Sequence, residues 1–137
     1  MSISVLIITH EEIGRALLNV ATLTFGQLPL PTTVVKVECD MTPEDVIPHL
    51  KHYVDTLLAT GQDILILTDL FGSTPCNIAT QFQHDRVRII SGLNLPMLVR
   101  VMNYANLSLA ELADKAVSGG RDGVINCTQG TYADEKA

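Results

Sequence analysis

Tryptophan is absent from this sequence, and phenylalanine and tyrosine occur only three times each. Stacking of unpaired bases needs aromatic platforms, so a single-strand nucleic-acid binder has little to be built from. Basic clusters are missing as well. Nine Lys and Arg against fifteen Asp and Glu leave a formal net charge of -6, whereas nucleic acid and anionic membrane surfaces both call for concentrated positive charge. The three cysteines, Cys39, Cys76 and Cys127, are odd in number, widely spaced and never in a Cys-x-x-Cys pair. That excludes a disulfide framework or a zinc site and leaves reduced thiols. No metal or cofactor is expected. Long apolar runs are also lacking: Ile3 to Ile8 falls far short of the roughly twenty residues that span a bilayer. With neither a basic region nor a small-residue cleavage site beside that run, a cytoplasmic protein is expected.

What is present is enough for one core. A chain of 137 residues with 47% hydrophobic content suits a single domain, expected over residues 1–127, with a loose polar tail at 128–137. Ile3 to Ile8 is a β-branched apolar run of the kind buried on both faces of a parallel sheet, and Thr9-His10 ends it. Ile13, Ala16, Leu17, Val20 and Leu23 then repeat at helical spacing, with Gly26 after Phe25 as the stop. Pro29 and Pro31 lead through a loop to a short strand at Thr33 to Val37. Thr42-Pro43-Glu44-Asp45 is a helix start, with Thr42 as N-cap, and Val46, Leu50, Val54 and Leu57 form the inner face. Pro48 predicts a kink, and Gly61 an end.

Asp63 to Asp69 repeats the pattern of the first strand: an apolar run, a threonine, then an ionisable residue. A helix is predicted from Pro75 to about Gln83, a strand at Val87 to Ile90, and helices over Leu95 to Tyr104 and Leu107 to Val117. Leu109, Leu112, Ala113 and Ala116 face inward on the last of these, and Gly119-Gly120 stops it. A weak strand is predicted at Gly123 to Cys127. Alternating strands and helices give a doubly wound α/β fold: a mainly parallel four-stranded sheet, the first strand central, flanked by helices on both faces. The terminal strand adds at an edge, antiparallel or paired with a second copy of the chain.

Two strands thus deliver His10 and Asp69 to the carboxyl edge, where open α/β sheets bind ligands. Between Asp69 and the next helix runs Leu70-Phe71-Gly72-Ser73-Thr74-Pro75. Gly72 allows unusual backbone angles, and Thr74-Pro75 reads as N-cap and first helical position. Amides of Gly72, Ser73 and Thr74 at that helix mouth make a phosphate cradle without lysine or arginine. The Walker spacing and its lysine are absent. Imidazole, carboxylate and cradle together suggest phosphoryl transfer through a phosphohistidine: Asp69 fixes the tautomer and His10 Nε2 attacks. A receiver domain phosphorylated on Asp69 would need an acidic pair where Thr9-His10 stands. A hydrolase would need a Gly-x-Ser-x-Gly elbow. His49 and His52 lack a third ligand and His84 lies beside Asp85 and Arg86, so all three read as surface residues. Cys76 reads as a small buried side chain.

The strand ending in Thr9-His10, the loop Asp69 to Asn77 and the segment Gly92-Leu93-Asn94-Leu95-Pro96-Met97-Leu98 together resemble the IIA component of the mannose-family sugar phosphotransferase system (PTS). The resemblance covers about residues 2 to 126. It implies a cytoplasmic homodimer that receives a phosphoryl group on His10 from the phosphocarrier protein HPr and passes it to a IIB component. It touches the membrane only through a IIC/IID complex. In that family the last strand is exchanged between subunits. Carried over, His10 is the phosphoacceptor, Asp69 its orienting carboxylate and Thr74 the hydroxyl residue of the loop. Glu11 and Ser73 depart from the family's usual glycines. The alternative is a non-transport regulatory module that uses the same phosphohistidine to control a partner protein.

Overall fold

Strand and helix propensities alternate along the chain, and the computed structural model, which describes residues 2–128, follows them. The elements are β1 (Ile3–His10), α1 (Ile13–Phe25), β2 (Thr32–Val37), α2 (Pro43–Ala59), β3 (Asp63–Thr68), α3 (Thr74–Ala79), β4 (Val87–Ser91), α4 (Leu95–Asn103) and α5 (Leu109–Asp122). The sheet order is β2-β1-β3-β4, with every pairing parallel. β1 and β3 are the inner strands, which is why their apolar runs do not alternate with polar residues: both faces are covered. Val5, Ile7, Leu65 and Leu67 pack with α1, α4 and α5 on one side. Leu6, Ile8, Ile64 and Ile66 pack with α2 and α3 on the other. Each such side chain, withdrawn fully from water, contributes about 1.5–3 kcal/mol.

The strand order decides where a site can form. From β1 the chain crosses outward to β2, then returns past β1 to β3 and continues away to β4. The direction of winding therefore reverses between β1 and β3. Adjacent crossovers leave there on opposite faces and open a crevice at the carboxyl ends of those two strands.

Several local expectations are corrected. The apolar repeat of α1 marks a helix but not its buried face: Gly14, Leu18 and Ala21 are buried, while Ile13, Val20 and Leu23 are exposed. α3 stops at Ala79, with Thr80 as its C-cap, rather than reaching Gln83. α5 starts from a Ser108–Glu111 capping box and runs through Gly119-Gly120 to Asp122. Those glycines serve close packing, since a Cβ on Gly119 would lie 2.6 Å from Arg100 Cβ. The Pro48 expected to kink α2 lies exposed inside that helix. At its start Thr42 and Asp45 form a capping box, and the hydrogen bonds from Thr42 hold the Asp45 carboxyl below its ordinary range.

The predicted strand at Gly123 to Cys127 is not formed. Gly123 caps α5, and Val124 to Cys127 make no ladder. Val124 and Ile125 are exposed; with no buried face, the segment gains nothing by pairing within its own chain. The expected tail beyond Thr128 lies outside the described residues.

Candidate functional site at the carboxyl ends of β1 and β3

β1 ends on His10, opposite Val37 of β2. The next residue, Glu11, turns the chain with φ +44°, and its amide donates to Val37 O at 3.0 Å. β3 ends one residue before Asp69, with Thr68 opposite Ile8. This register sets Asp69 level with Thr9, one residue short of the tip of β1 and within reach of His10. His10 Nδ1–H donates to Asp69 Oδ2 at 2.8 Å, and the His10 amide donates to the same oxygen at 3.3 Å. The imidazole is 38% exposed and the carboxylate 9%. A proton held on Nδ1 by a buried carboxylate leaves Nε2 as the nitrogen with a free lone pair. Asp69 Oδ1 is buried with no hydrogen-bond partner.

The loop after Asp69 turns at Gly72, with φ +80°. Ser73, not Thr74, is the N-cap, which moves Thr74 to the first and Pro75 to the second helical position. Proline fits both, because neither amide has an intrahelical acceptor. The Ser73 hydroxyl donates to Leu70 O at 2.6 Å, and its amide points to the same carbonyl at 3.3 Å. Its donors therefore hold the loop's own turn. Among the described residues the amides of Gly72 and Thr74 and the Thr74 hydroxyl have no partner within the protein.

The surroundings are open. Leu70 and Phe71 are exposed, and the neighbouring hollow, lined by Phe71, Cys76, Thr80, Val87 and Arg88 among others, does not reach His10. Lys36 lies opposite Thr9 on β2 and was not flagged by sequence motifs; strand register alone brings it to this rim. Its ammonium sits 3.0 Å from Glu12 and 3.7 Å from Glu38, and Glu12 above all raises its pKa. His49, His52 and His84 are exposed, Cys76 is buried, and Cys39 and Cys127 are exposed. Among the described residues no three His, Cys, Asp or Glu side chains gather into a group that could hold a metal. No helix there is long and apolar enough to cross a membrane.

Fold and site together define a doubly wound α/β domain that carries a carboxylate-anchored histidine at its switch point. Comparison with known proteins narrows this class: the family model described as PTS system fructose IIA component (EIIA-man) matches residues 4–117. The chain belongs to that family of phosphotransferase-system components. It is 30% identical over 131 residues to the PTS system mannose-specific EIIAB component of Escherichia coli K12, covering 90% of this chain but only 39% of that protein's length. It is 25% identical to the PTS system sorbose-specific EIIA component of Lacticaseibacillus casei, covering 79% of this chain and 78% of that one. Among solved structures, phosphotransferase system component EIIA from Streptococcus agalactiae superposes with a TM-score of 0.77 at 25% identity, covering 90% and 96% of the two chains.

Proposed function

We propose that His10 carries a phosphoryl group between two cytoplasmic proteins, accepting it from phosphorylated HPr and delivering it to a IIB component. One observation supports this above the rest: a half-exposed imidazole whose Nδ1 is tied to a nearly buried carboxylate at 2.8 Å. The Nε2 lone pair attacks phosphorus, the P–N bond to the donor's histidine breaks, and its electron pair returns to the donor's imidazole. His10 then bears a positive ring with the proton still on Nδ1, a charge that Asp69 offsets. The transition state spreads negative charge over three equatorial oxygens, so fixed donors supply most of the catalysis. Gly72 and Thr74 offer free donors for that role, and Ser73 shapes the loop that presents them. Delivery to IIB reverses these steps. Val124 to Cys127 is the segment proposed to cross to the open β4 edge of a second copy, giving the homodimer.

Incubation with phosphorylated HPr, wild type beside His10→Ala, tests the reading. Label on the wild type alone, lost in acid and stable in base, supports it; label surviving on His10→Ala refutes it. Chasing the phosphoprotein with IIB separates the two uses of the same chemistry. Transfer supports the carrier, and retention points to the regulatory module.

A further inference from the structure

The N-terminus of α1 is capped from an unusual place. Its N-cap residue, Glu12, makes no capping hydrogen bond with its side chain. The Gly14 amide instead donates to Thr9 Oγ1 at 2.8 Å in a buried contact, so the acceptor that normally belongs to the N-cap comes from the strand. Thr9 is 0% exposed. Gly14 permits the approach: a Cβ there would lie 2.7 Å from Ile7 Cγ2 and 2.8 Å from Thr9 Oγ1. The chain from Thr9 to Gly14 is therefore a short arch pinned at both feet. His10 is the first residue past the strand foot, where the ladder to β2 makes its last contact through the Glu11 amide and Val37 O, and Glu11 is forced into a left-handed turn within the arch.

The arch matters because one oxygen serves His10 twice. Asp69 Oδ2 accepts from both the ring Nδ1 and the backbone amide. Ring and main chain are thus set together, and a main-chain shift at His10 draws Nδ1 away from the carboxylate. We propose that the Thr9–Gly14 hydrogen bond is a latch that holds the His10 main chain and, through it, the tautomer and aim of the imidazole. Thr9 is a positioning residue for the phosphoryl acceptor, an inference that rests on the His10 reading above. A purely structural threonine would affect stability and leave the ring alone.

The test reads the ring directly. Long-range ¹⁵N–¹H spectra of the unphosphorylated protein report which imidazole nitrogen of His10 carries the proton, and the rate of labelling from phosphorylated HPr reports its competence. Thr9→Val keeps the shape and removes the acceptor; Thr9→Ser keeps the acceptor. The expected result is a single Nδ1–H tautomer in wild type and Thr9→Ser, and a mixture in Thr9→Val with labelling slowed about tenfold or more. Gly14→Ala opens the latch from the helix side with the hydroxyl intact and should give the same mixture if Thr9→Val does not fold. A folded Thr9→Val or Gly14→Ala with wild-type ring signals and rate would overturn the proposal, as would Thr9→Ser behaving like Thr9→Val. A wild type that shows the Nδ1–H tautomer but takes no label would refute the phosphoacceptor reading and leave the latch standing.

Discussion

Replacing Asp69 by alanine is the sharpest perturbation of the site. The substitution removes the acceptor of a 2.8 Å hydrogen bond from the His10 ring and of a 3.3 Å bond from its amide. The carboxylate is 9% exposed and the imidazole 38%, so solvent screens the ring bond only in part, and it strengthens as phosphorylation leaves positive charge on the imidazole. A hydrogen bond to a charged group is worth about 1.5–3 kcal/mol. If that difference appears in the transition state, labelling from phosphorylated HPr slows by about 10- to 150-fold. Folding stability should change far less, by under about 1 kcal/mol, because the mutation also removes a buried oxygen, Oδ1, that has no partner. Asp69→Asn keeps an acceptor without the charge and should fall between. The assay is the initial rate of label uptake at fixed donor, beside a urea midpoint for each variant. Wild-type uptake by Asp69→Ala would refute the coupling between carboxylate and ring, and so would a loss that merely tracks the unfolded fraction.

Two stability predictions follow from the backbone and from burial. Glu11 is the only non-glycine residue with positive φ among the described residues, so Glu11→Gly should stabilise the protein by about 1 kcal/mol, seen as a raised urea midpoint; a lowered midpoint would contradict the strain argument. On α1, Val20→Gln and Leu23→Gln should stay within about 0.5 kcal/mol of wild type, whereas Leu18→Ala, 5% exposed, should cost about 2–4 kcal/mol. The reverse ranking in thermal melts would mean that the helix buries the other face.

The amino-acid order alone determined the types of the nine elements from β1 to α5, the parallel sheet, and the delivery of His10 and Asp69 to one edge. Solid apolar runs without alternation mean strands covered on both sides, and strands separated by helices must cross over in parallel. The outward face of α1 was not legible, because its periodicity is shared by two stripes and only packing against β1 selects Leu18 and Ala21. Gly119-Gly120 read as a stop, since a glycine pair in isolation weakens a helix; the nearness of Arg100 gives it a different purpose. The sequence leaves the Ser73 donors free, whereas the turn binds them to Leu70 O, and the residues of the predicted terminal strand find no edge in their own chain. Lys36 reached the rim through strand register, and the Thr9–Gly14 contact joins a strand to the helix that follows it. Neighbouring residues set local shape through short-range sterics. Only the folded chain decides which polar atoms meet, because each hydrogen bond at this site depends on how two separately formed elements are placed.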